Sequence, residues 1–141
     1  MCKLIILVGN VGTGKTKYRV EHFKNDEVII CPDEWRDLSK TKIGIKLITG
    51  IESALTDGKT VVWDGNNMDR TTRAQFDDTI GNAGGSKTII DFGKGTKVSL
   101  DSRINNSREE SAEFWTGIHN ENQIIYEKPT LDECDKLIVI N

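Results

Sequence analysis

Residues 7–16 read Leu7-Val8-Gly9-Asn10-Val11-Gly12-Thr13-Gly14-Lys15-Thr16, and how this stretch is interpreted decides the fold. An apolar run at residues 4–8 breaks into three glycines, and the residues from Lys15 onward suit a helix. Residues 9–16 fit G-x-x-x-x-G-K-[ST] without a gap, in the strand-then-helix setting that gives the pattern its meaning. Glycines let the backbone curl so that successive N–H groups face inward, and a helix starting near Lys15 adds its positive end. Such a loop suits a nucleoside triphosphate. Gly9, Asn10, Val11, Gly12, Thr13, Gly14, Lys15 and Thr16 are therefore the expected nucleotide-binding residues. Lys15 is expected on the β and γ phosphates of ATP, and Thr16 on Mg²⁺.

Outward from the loop, the 141 residues are expected to form one α/β domain. The longest wholly apolar run, residues 4–8, is far below the ~20 residues of a membrane span. No membrane association and no secretory leader are expected. Cys2, Cys31 and Cys134 are widely spaced, without a C-x-x-C or a His pair, which argues against a disulfide framework or a zinc site. The expected setting is reducing and cytoplasmic. Net charge is −3, yet residues 1–50 carry nine Lys+Arg against six Asp+Glu. A protein coating long duplexes is normally basic, so any nucleic-acid contact should be local.

Short β-branched runs at residues 3–8, 27–31, 60–64, 87–92 and 136–140 read as strands buried on both faces. Helical stretches fall between them at 15–24, 41–56, 71–83, 98–107 and 111–126. In the second, Ile43, Leu47, Ile48, Ile51 and Leu55 form an apolar stripe that should pack against the sheet. Alternation of this kind implies a five-stranded, mostly parallel sheet with helices on both faces, joined by right-handed crossovers.

In such sheets the ligand crevice lies beyond the carboxyl ends of the strands. The second strand runs out into Cys31-Pro32-Asp33-Glu34-Trp35-Arg36. Asp33 could take a hydroxyl proton and Arg36 could orient a charged acceptor; equally, Asp33 could cap the turn and Arg36 pair with an acid. The third strand ends at Asp64, either a support for magnesium and its water or part of a D-G turn. Residues 91–96 could cup an anion but read more simply as a turn. Arg103 and Arg108 are solvated charges or part of a lid that closes arginine onto the transferred group.

Together these spaced motifs resemble the 5′-hydroxyl polynucleotide kinases, within the adenylate-kinase-like group of P-loop kinases. The resemblance covers nearly the whole chain. It places Asp33 and Arg36 on the family's Asp-x-x-Arg element, with Asp33 the general base on a 5′-OH of DNA or RNA. It maps Asp64, Asn67 and Arg73 onto a D-x-T-N-then-arginine signature, Asn66 standing for the threonine. Residues 103–108, RINNSR, resemble the arginine-bearing lid, with Arg108 favoured over Arg103 as the phosphate clamp. Lys15, Asp33 and Arg108 are thus the implied catalytic residues, and Arg36, Asp64, Asn67, Arg73 and Arg103 the implied acceptor side. Residues 128–130 are implied to border the adenine. Two other readings stand beside this one: a kinase of nucleosides or small metabolites, and a nucleotide-binding switch that transfers nothing.

Overall fold

A computed structural model describes residues 1–107 and 110–140. Five strands, β1 (Lys3–Gly9), β2 (Val28–Ile30), β3 (Thr60–Asp64), β4 (Ser86–Gly93) and β5 (Lys136–Val139), form one sheet in the order β2-β3-β1-β4-β5. Every pairing is parallel, where a mostly parallel sheet was expected. All strands therefore deliver their carboxyl ends to one edge. Register sets what meets there. Leu7 is level with Asp64, and Ile30 with Trp63, so Asp64 comes up beside the phosphate loop with Asp33 just beyond.

The helices are α1 (Lys15–His22), α2 (Lys40–Thr56), α3 (Arg70–Arg73), α4 (Asp77–Asn82), α5 (Lys97–Asn106) and α6 (Ala112–Ile125). Pleating divides β1 between two cores. Leu4, Ile6 and Val8 face a cluster built with Ile51, Leu55, Phe76 and Ile80 from α2 and the α4 region. Ile5 and Leu7 face the opposite side, against Tyr18 of α1 and Phe23. Leu4, Ile6, Leu7 and Val8 are wholly removed from water, each contributing about 1.5–3 kcal/mol. Among the described residues, no helix is long and apolar enough to cross a membrane.

Two expectations are corrected here. The helix read at 71–83 is broken into α3 and α4, because i→i−3 bonds from Gln75 to Thr72 and from Asp77 to Ala74 tighten the chain between them. That turn delivers Phe76 edge-on to Trp63, with ring centroids 5.3 Å apart. The apolar stripe of α2 is buried only along its later part: Ile51 and Leu55 are inaccessible, whereas Ile48 is 39% exposed.

Candidate active site

The phosphate loop is shaped by two left-handed glycines. Gly12 has φ +72°, and a Cβ there would lie 1.9 Å from the Ser99 carbonyl oxygen of α5, so α5 can rest on the loop only over a glycine. Gly14, at φ +95°, precedes α1 without a side-chain cap, leaving the first N–H groups of the helix without intrahelical acceptors. Not every loop N–H points to a ligand. Gly9 donates to Asn66 O, Asn10 to Gly93 O, and Val11 to Asn10 Oδ1. Among the described residues no acceptor takes the N–H groups of residues 12–16, which could therefore cradle an anion.

Asn10 is expected among the nucleotide-binding residues, but its side chain is fully buried and used inside the protein. Its Nδ2 donates to Lys94 O and His119 O, both at 2.9 Å, while its Oδ1 accepts from Asn122 Nδ2 at 3.0 Å. Asn10 thereby ties the loop to α6 and to the turn after β4. That turn, residues 93–96, works as a backbone strut for Asn10, in keeping with the simpler reading of the segment.

Lys15 lies buried, its ammonium donating to Gly9 O at 2.7 Å and Asn10 O at 2.9 Å. Burial lowers its pKa to about 8, against the upward pull of Asp64 and Asp33 and with a further downward push from Arg103. The Thr16 hydroxyl donates to Asp64 Oδ2 at 3.0 Å. These are two hard oxygens beside the cradle, the chemistry Mg²⁺ prefers while it keeps water and substrate phosphates as its other ligands. Among the described residues, no three His, Cys, Asp or Glu side chains are grouped for a metal. Thr16 and Asp64 are the residues that would hold Mg²⁺ there.

A cleft of about 320 Å³ opens over the cradle, lined by Lys15, Thr16, Asp33, Asp64, Arg103 and Trp115 among others. Asp33 stands in a 3₁₀ turn, Pro32–Trp35, which Pro32 initiates; its carboxylate is exposed and makes no hydrogen bond among the described residues. Arg36 ends that turn, donating from Nε to Asp33 O at 3.3 Å and lying 3.7 Å from Glu110. Cys31, at the start of the turn, has its thiol pushed up to about 11 by burial and then by Asp64 and Asp33, so it stays protonated.

Other expected residues lie apart from the cleft. Arg73 is fully buried, and all five of its N–H donors are taken: two by the Glu133 carboxylate and three by Asn67 O, Met68 O and Glu127 O. It cannot offer an N–H to an acceptor. Asn67, also buried and left-handed at φ 49°, donates to Leu7 O at 2.9 Å. Both brace the loop after β3. Residues 128–130, implied to border the adenine, line neither the cleft nor the opening beside it; Thr130 bonds Arg70 and Glu133. Arg108 lies outside the described residues.

Two contributors were not anticipated. Arg19 holds Asp64 Oδ2 from Nε at 2.9 Å and Glu34 from Nη2 at 3.2 Å. Its spacing of four from Lys15 along α1 is the only sequence signal for it. Trp115 lines the cleft, its ring centroid 4.1 Å from the Arg103 guanidinium carbon. On α6 it reads as any buried aromatic.

No protein-family model matches the chain, and no curated protein does. Solved structures do. A fungal RNA kinase superposes with a TM-score of 0.72 at 19% identity, over 100% of this chain and 38% of that one. Chaetomium thermophilum Kti12 in complex with ADP-AlF3 gives 0.67 at 16% identity, over 97% and 88%. A gluconokinase from Sinorhizobium meliloti gives 0.60 at 14%, over 98% and 81%. The chain thus spans well under half the length of the RNA kinase. At these identities the likeness speaks for architecture, and the architecture is that of the P-loop kinases.

Proposed function

We propose that the chain is an ATP-dependent kinase that phosphorylates the 5′-hydroxyl end of DNA or RNA. The observation that carries this reading is the meeting, in one cleft, of the phosphate cradle, Lys15 and an exposed carboxylate from the neighbouring strand end, Asp33. A switch that only binds nucleotide has no need of that carboxylate, and transfer to an alcohol is told from hydrolysis by the labelled product. The RNA kinase likeness supports a polynucleotide acceptor, whereas the gluconokinase likeness supports a small polyol.

In the proposed reaction the 5′-oxygen forms a bond to the γ-phosphorus as the bond to the β-bridging oxygen breaks, and ADP leaves. Asp33 takes the hydroxyl proton. The cradle N–H groups of residues 12–16 and the Lys15 ammonium hold the phosphate oxygens, and Arg103 faces the charge that develops on the transferred group. Arg36, one turn from Asp33, orients the acceptor. Mg²⁺, when bound, neutralises the phosphate oxygens. The nucleoside half of ATP fits the adjoining opening of about 530 Å³ between the loop and the start of α5, bordered by Thr13, Phe92 and Ser99.

The test is transfer of label from γ-labelled ATP to 5′-OH oligonucleotides, set against nucleosides and gluconate. Labelled oligonucleotide 5′ ends are expected. Label on a small acceptor alone replaces the polynucleotide with that compound, and hydrolysis with no labelled acceptor favours the switch.

A further inference from the structure

Trp115 forms part of the cleft wall, and neither the cradle nor the acceptor carboxylate accounts for it. Its ring centroid lies 4.1 Å from the guanidinium carbon of Arg103 and 5.9 Å from that of Arg36. The two arginines come from different places. Arg103 belongs to α5, which rests on the phosphate loop at Gly12, while Arg36 ends the turn that carries Asp33. One indole therefore lies within reach of an arginine beside the phosphate loop and of another at the end of the Asp33 turn, the latter also 3.7 Å from Glu110.

The indole is also fixed with respect to the loop. Trp115, His119 and Asn122 share the buried face of α6, at spacings of four and three. His119 O and Asn122 Nδ2 both bond the side chain of Asn10, inside the phosphate loop. The helix is thus bolted to the loop one and two turns along from the ring. Meanwhile Trp115 Nε1 is buried without an acceptor among the described residues. A side chain that only filled space would do so at less cost without that N–H. What the indole adds is a broad electron-rich face for guanidinium groups.

We propose that Trp115 is a positioning residue for phosphoryl transfer: held by α6 at a set distance from the cradle, its ring orients Arg103 and Arg36 on either side of the reacting groups. This rests on the kinase reading of the cleft but not on the identity of the acceptor.

The test compares calorimetric binding of MgADP alone with binding of MgADP plus aluminium fluoride, a mimic of the transferred phosphoryl. The full chain is used, as wild type, Trp115→Leu and Trp115→Phe. Wild type is expected to bind the mimic more tightly than MgADP. Trp115→Leu should lose about tenfold or more of that preference while its affinity for MgADP stays within about threefold, and Trp115→Phe, which keeps a ring face, should recover most of it. If Trp115→Leu does not fold, Trp115→Met fills the space without a ring. Equal preference in all variants, or none in wild type, overturns the proposal. Oligonucleotide labelling is scored separately. Wild type that shows the mimic preference but labels no 5′ end loses its assigned acceptor and keeps Trp115; wild type that labels ends no better than Trp115→Leu loses Trp115 and keeps the acceptor.

Discussion

The Thr16 hydroxyl and Asp64 Oδ2 lie 3.0 Å apart, joining the last residue of the phosphate loop to the last residue of β3. Arg19 donates to the same carboxylate oxygen at 2.9 Å and so fixes its direction. Asp64→Asn keeps the size of this group but removes its charge. The magnesium midpoint of ATP turnover should rise about 10- to 100-fold, the usual loss when a partner of a metal's ligands is removed. Arg19→Gln should move the midpoint the same way by less. An unchanged midpoint in a magnesium titration of Asp64→Asn would remove Asp64 from this role.

Lys15 carries a distinct pH signature. Its pKa is lowered from 10.5 to about 8, chiefly by burial, so between those values the unfolded chain holds a proton that the folded chain has released. From this group, stability of the nucleotide-free protein should rise with pH across that window, because below it the fold bears the cost of a buried ammonium. Nucleotide affinity should move oppositely, falling by up to about tenfold per pH unit above pH 8, since phosphates bind the charged form. Urea titrations and MgADP calorimetry between pH 7 and 10 measure both slopes. Lys15→Ala should abolish both the slopes and the tight binding.

Asp33→Asn should separate binding from chemistry. The residue is exposed and carries no hydrogen bond that the fold needs among the described residues, so melting temperature and MgADP affinity should be nearly unchanged. Transfer should fall on the order of 10²–10⁴-fold, the range of a positioned proton acceptor. Single-turnover transfer from γ-labelled ATP reads this directly. Full activity in Asp33→Asn would end the base assignment.

Arg73→Leu should act on stability. Arg73 is inaccessible and Glu133 nearly so, and removing the arginine strands a buried carboxylate together with three backbone carbonyls. A loss of about 3–5 kcal/mol in urea unfolding is expected. The Glu133 pKa is lowered: burial pushes it up, but the Arg73 bonds and the Thr130 N–H outweigh that. Its share of stability is therefore present above the ordinary carboxylate range and lost as pH falls below it. Residual folded Arg73→Leu protein should still bind MgADP, because Arg73 does not line the cleft.

The local patterns were legible where one segment settles its own conformation. The glycine spacing at residues 9–16 announces the loop, since only glycine takes the left-handed backbone at Gly12 and Gly14. The β-branched runs announce strands, and all five strands lie within about a residue of those runs. The break between α3 and α4 was not legible, because residues 71–83 suit a helix locally and the turn forms where Phe76 enters the core against Trp63.

Local sequence was thus enough for the phosphate loop, the alternation of strands and helices, and the placing of one acid just beyond the second strand and another at the end of the third. All three are properties of short stretches, set by backbone sterics and hydrophobic period. Only the tertiary structure decided what each polar side chain does. Arg73 and Arg103 are the same residue type, each on a short helical stretch, yet one is buried with five acceptors around it and the other stacks on Trp115 in the cleft. A guanidinium group's role depends on which acceptors and aromatic faces the folded chain brings within reach, and those come from residues five to sixty positions away.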